Sequence, residues 1–182
     1  MKILRRISVI FAFCSIIASA VCANAQIVQV CDLGAGALVE KSNLVFSTVN
    51  NPIRLTDFTH LGKVSEDAPY DIYIATAGAP KDGAAISFFC NNTGFVSKIL
   101  IMANGKNPAA IRNAGFALAA LLISMGLSGS EMNVLMEERA SNKPYADVWV
   151  AKINRRVILE YKLHQGKNDT KVMAMRLIAV DQ

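Results

Sequence analysis

The stretch from Asn107 to Gly126 constrains the fold of this chain more than any other. Asn107-Pro108 sets a capping side chain in front of a proline at the first helical position. Gly126 suits the left-handed residue that ends a helix. Between them, Ala114 to Met125 is apolar almost all round, so this helix must be covered on several sides. Arg112 and Asn113 interrupt the run, which reads as a core helix rather than a membrane span. Ser128-Gly129-Ser130-Glu131 follows as a capping box. It opens a second helix with Met132, Leu135 and Met136 inward, closed by Asn142 and Pro144. The two form a helical hairpin over about 108–125 and 129–141.

The cover for that hairpin comes from strands. Asp71–Ala77 alternates, Gly78–Gly83 is a turn, and Ala84–Cys90 and Phe95–Met102 flank the hairpin signal Asn91-Asn92-Thr93-Gly94. Beyond the helices, Ala146–Ile153 and Arg156–Leu163 flank a turn at Asn154-Arg155. Val157, Leu159, Tyr161 and Leu163 make a buried side there, and Arg156, Glu160 and Lys162 a wet one. A polar turn centred on Gly166 leads to the last strand, Lys171–Val180. Upstream, Leu38, Val39, Ser42, Val45, Phe46 and Val49 recur at helical spacing, which favours an N-terminal helix over a strand at Leu44–Val49. Pro52–Tyr70 reads as loop with a short strand at most. The sum is an α+β domain, with helices packed on one antiparallel sheet of about five to six strands. This element order resembles that of small secretion chaperones, as a likeness of architecture without a shared motif.

Residues 1–25 have another use. Lys2, Arg5 and Arg6 precede an apolar run from Ile7, and small residues close it at Ala23-Asn24-Ala25. That is a secretory signal peptide, cut after Ala25. The expected mature chain, 26–182, is one exported domain, periplasmic or secreted, with no stable membrane span after cleavage. Retention of the charge-free Ile7–Ala25 as an anchor is the rival reading. Val21 before Cys22 argues against a lipid attachment site.

Subtracting the signal lowers the formal charge from +5 to +2, which weakens a nucleic-acid role. The remainder is uneven: residues 26–138 sum to −3 and residues 139–182 to +5. Arg155, Arg156, Lys162 and Lys171, with Trp149 as an aromatic anchor, are therefore the candidate surface for an acidic protein or peptide partner. An exposed strand edge at Lys171–Val180 would add a second means of docking. The default for such charges is a solvated sheet face.

Two of the four cysteines leave with the signal. Cys31 and Cys90 remain and are expected to form one structural disulfide, as in other exported domains. They are too far apart for a C-x-x-C redox pair and have no histidine near in sequence for zinc. Asp57, His60 and Ser65 lie in one loop without the elbow of a hydrolase, and convergence in space is not implied. Glu131 is explained by the capping box, while Glu137 and Glu138 diverge on a helix. Met132, Met136, Met173 and Met175 read as core rather than a peptide groove. No catalytic residue, metal site or cofactor is expected. The function read from this is a non-enzymatic exported protein that binds another protein or peptide or assists envelope assembly. A small periplasmic hydrolase or ligand-binding protein, with a site assembled from distant segments, is the alternative.

Overall fold

A computed structural model describes residues 27–66, 68–140, 145–165 and 170–181. The segment 1–25 expected as a signal, the residues Asn142 and Pro144 expected to close the second helix, and the expected turn at Gly166 lie outside the described residues. In chain order the elements are β1 (Ile27–Val28), α1 (Ala35–Thr48), β2 (Leu55–Lys63), β3 (Asp71–Ala77), β4 (Ala84–Cys90) and β5 (Val96–Asn104). Then come α2 (Pro108–Met125), α3 (Gly129–Ala140), β6 (Tyr145–Val150), β7 (Arg155–Gln165) and β8 (Lys171–Val180). The fold class is α+β with one antiparallel sheet, in the order β2-β3-β4-β5-β8-β7-β6, and β1 pairs with the end of β8. The sheet is thus somewhat larger than the five to six strands expected.

The helix hairpin forms for the expected local reasons. The Asn107 side chain accepts from the backbone of Ala109 and Ala110, and Gly126 ends α2 at φ 102°. Ser128 Oγ accepts from Glu131 N while Glu131 Oε2 accepts from Ser128 N, the reciprocal capping box. By length and composition α2 would also cross a membrane. Its apolarity is accounted for by its place, with Ala114, Ala117, Leu118 and Leu121 buried in the main core. It packs on α1 and on β3, β4 and β5. Between α1 and α2 the buried hydroxyls of Ser42 and Ser124 meet at 3.2 Å.

One strand is longer than the short one that the sequence allows in this stretch. β2 occupies part of the polar stretch expected as loop, and Thr56–His60 is exposed throughout. It lacks alternation because it is an edge strand with two register irregularities, and Asp57 there sits at φ 53°. Backbone pairing with β3 holds it, not burial of one side.

β8 is the larger correction. It is no exposed edge: β5 pairs along one side from Val172 to Ile178, β1 continues that side, and β7 takes the other. The true edges are β2 and β6. α3 closes the β6 edge in part, because the Glu138 carboxylate accepts from Asp147 N at 2.9 Å.

The sheet separates two apolar layers. One face, carrying Ile86, Phe88, Ile99, Ile101, Leu159 and Leu177, joins the three helices in the main core. Met173 and Met175 belong to it, with Met132 and Met136 packed against it, so the methionines are core and not a groove. The opposite face carries two smaller buried clusters, one of Ile72, Phe89, Leu100, Met102 and Ala174, the other of Ile158, Ile178 and Val180.

Candidate functional site: the second face of the sheet

Residues paired across an antiparallel ladder point to the same face, and alternate residues along a strand share it. The register therefore lays out the second face in rows. Asp147, Ile158, Ile178, Lys98, Phe89 and Ile72 form one row from β6 to β3. Tyr145, Glu160, Arg176, Leu100, Ser87 and Ile74 form the next. Lys162, Ala174, Met102 and Ala85 form a third. All three described helices pack on the other face, as their shared core with it shows.

At the centre of the second face is an ion pair. Arg176 donates through Nε and Nη2 to the two carboxylate oxygens of Glu160, both at 2.6 Å. The side chains are only 12% and 6% exposed. Glu160 was expected on a wet side with Arg156 and Lys162, and that expectation is corrected. The cause is β8, which brings Arg176 directly opposite Glu160 and places strands on both sides of the pair. Buried charges persist only when paired and hydrogen-bonded, and the two-pronged geometry provides this. Along the neighbouring row, the Lys98 ammonium stands 4.0 Å from the Phe89 ring centroid and 5.2 Å from that of Tyr70. A narrow cleft lined by Glu160, Lys162, Ala174 and Arg176 marks the middle of the face.

The sequence-read partner surface divides between the two faces. Trp149 is paired with Arg156, and Lys162 lies on the same second face six residues further along β7, about 20 Å away. Arg156 is exposed, with its Nε 3.9 Å from Asp147. Arg155 points to the opposite side, where it donates to Asp32 at 3.3 Å and ties β7 to the segment before α1. Lys171 also lies on the opposite side, across from Gln165 at the far end of the ladder. Arg156, Lys162 and Trp149 are thus brought to one surface, and Arg155 and Lys171 are not. Arg176, Glu160 and Lys98 were missed, because the neighbour that makes each of them distinctive comes from another part of the chain.

Cys31 and Cys90 are free, buried thiols in this structure, so the expected bond between them is not formed here. They do lie near each other, since each β5-side contact draws the Cys31 segment onto the sheet: Val30 N donates to Val96 O, and Val96 pairs with Cys90. Burial, chiefly, pushes the Cys31 thiol up to about 11, and the neighbouring Asp32 and Cys90 add to the shift. Burial also raises Cys90. Protonated, enclosed thiols are poor nucleophiles, which speaks for a structural role.

The loop polar residues do not converge. His60 Nε2 meets Asp71 Oδ1 at 2.8 Å and its ring stacks on Tyr73, with centroids 4.4 Å apart. Asp57 is engaged elsewhere, accepting from Thr76 Oγ1 at 2.6 Å beside an open cleft of about 210 Å³. Neither place shows a hydroxyl or thiol nucleophile held by the histidine. Among the described residues no three His, Cys, Asp or Glu side chains cluster as metal ligands. No protein-family model, curated protein or solved structure matches the chain.

Proposed function

We propose that the mature chain is exported to the periplasm or beyond. There it acts as a non-enzymatic binding protein that seats an apolar, acid-flanked segment of a partner protein or peptide on the second face of its sheet. Assistance to envelope assembly is the setting that fits an exported binding domain. The observation that carries the reading is the margin of the second face, where exposed Arg156 stands beside Trp149 with Lys162 further along β7, on a face with which no described helix shares its core. Arg156 and Lys162 bound the face with positive charge, which suits acidic flanks. Oxidation of Cys31 and Cys90 to a disulfide on export belongs to the same reading. The hydrolase alternative has the His60–Asp71 pair in its favour, but no nucleophile beside it.

Photo-crosslinking groups at Trp149 and Lys162, with one at Lys41 on α1 as control, test this in the exported compartment. Proteins captured from the first two positions and not from Lys41 are expected. The double change R156E/K162E should diminish that capture at least several-fold. Equal capture from all three positions would remove the face from consideration.

A further inference from the structure

The third row of the second face continues past Ala85. Thr76 pairs with Ala85 and Thr56 with Thr76, so both hydroxyls stand on that face at the β2 end. Regular alternation would turn the next residue, Asp57, to the helix side. The irregularity after Thr56 and the left-handed backbone of Asp57, at φ 53°, turn it back. Its Oδ2 accepts from Thr76 Oγ1 at 2.6 Å. Oδ1 accepts from no described residue, and no described cation pairs with the carboxylate. Asp57 and Thr76 line the open cleft of about 210 Å³ together with Gly78, Gly83 and Ala85. Carbonyl oxygens crowd the backbone at Gly83: a Cβ there would lie 2.9 Å from Ala79 O, 3.3 Å from Ala77 O and 3.4 Å from Gly78 O. The cleft thus combines one unpaired negative charge with hydrogen-bond acceptors.

We propose that this cleft seats a lysine ammonium at one end of the partner segment. The place of the cleft on the partner's path rests on reading the second face as the partner surface; the cleft itself does not. An ammonium is a compact charge with three donors, which suits a free carboxylate oxygen among other acceptors. The charges across the face supply the rest of the partner's pattern. Lys162 stands in the same row, at the narrow cleft it lines with Glu160, Ala174 and Arg176. From β7 to β3 the row crosses β8, β5 and β4, four strand spacings or about 19 Å. An extended chain covers that distance in about six residues. Between the two ends stand Ala174, Met102 and Ala85, which carry no charge. The segment that fits has an acidic residue at Lys162, a small or apolar middle, and a lysine about six residues further on at Asp57.

The test uses nitrogen-15-labelled protein recovered from the exported compartment. Titration with n-butylammonium chloride should move the amide resonances of Gly78, Gly83 and Ala85 along a saturating curve. The uncharged 1-butanol, of the same length, should not. D57N removes the charge but keeps a residue that tolerates the left-handed backbone, and should weaken the response by about tenfold or more. No saturating shift, equal shifts with 1-butanol, or an undiminished response in D57N would overturn the proposal. A response to calcium chloride alone would make the cleft a metal site and overturn it as well. Two peptides of serine and alanine, with one lysine and one aspartate either six or three positions apart, test the spacing. The wider spacing should bind more tightly, and K162Q should erase the difference. Equal binding of the two peptides to the unaltered protein would overturn the place given to the cleft on the partner's path. The two readings fail separately. Ammonium binding that D57N removes, with no partner captured from Trp149 and Lys162, would leave the cleft standing and remove the partner reading. Partner capture with no response to the ammonium would do the reverse.

Discussion

Two residue pairs carry the chemistry of this protein. Glu160 and Arg176 meet because register, not sequence proximity, places them opposite each other. Removing one partner of a buried pair leaves an uncompensated charge, whereas replacing both by apolar groups is often nearly neutral. In the full-length chain, E160Q is therefore expected to lower unfolding free energy by about 3 kcal/mol, and E160L/R176M to restore most of it. Urea denaturation followed by circular dichroism measures both. An E160Q effect near zero would mean that water reaches the pair freely. At the second pair, protein recovered from the exported compartment should be about two daltons lighter than its reduced form, as one disulfide requires. Closing a loop of about 60 residues adds roughly 4 kcal/mol in the chain-entropy account. Two titratable thiols in freshly isolated, denatured protein would show that Cys31 and Cys90 stay reduced.

The helices begin and end where short-range chemistry tells them to. Asn107 caps α2 and also donates to Asp82 Oδ1 at 2.8 Å, fastening the β3–β4 turn to the helix start. N107A should cost about 1 kcal/mol for the cap alone, read as a fall in thermal midpoint. Glu131 holds α3 from both sides, since its carboxylate accepts from Ser128 N and from Ala151 N. The Ser128 backbone hydrogen bond is the main cause that holds its carboxyl below the usual range. A depressed folded value means the contribution is complete above the ordinary carboxylate range and is lost as pH falls through the folded value. Acid should therefore loosen α3 and the β6 end, and E131Q should lower stability at neutral and alkaline pH while its curve joins that of the wild type once pH falls below the folded value. A constant offset between the two proteins from neutral pH into strong acid, or no difference at neutral pH, would dismiss the cap as a titrating element. Strands were legible in proportion to their burial. β3 and β8 were read at their observed limits, while β2 escaped because an exposed, bulged edge leaves no alternation to detect.

At the scale of the whole molecule, the sheet works as a partition. One side is a core closed by α1, α2 and α3, and Leu121 lies fully within it. L121A should cost about 3 kcal/mol, from lost transfer energy and the cavity left behind, measured by denaturant midpoint. The other side is the candidate binding face, bounded by Arg156, Lys162 and Trp149. The candidate site was only partly visible beforehand. Arg156, Lys162 and Trp149 were found through the charge imbalance of the C-terminal region, but Arg155 and Lys171 came with them although they face the other way. By itself the sequence determined the α+β class, the capped helix hairpin and most strand positions. Each of these is written in neighbouring residues, through caps, turns and period. Only the tertiary structure decided that β8 is inserted between β5 and β7, that Glu160 is buried against Arg176, and that the open edges are β2 and β6. The physical reason is that alternation states which side chains share a face. The order of strands, and hence what each face meets, is set by pairings between residues far apart along the chain.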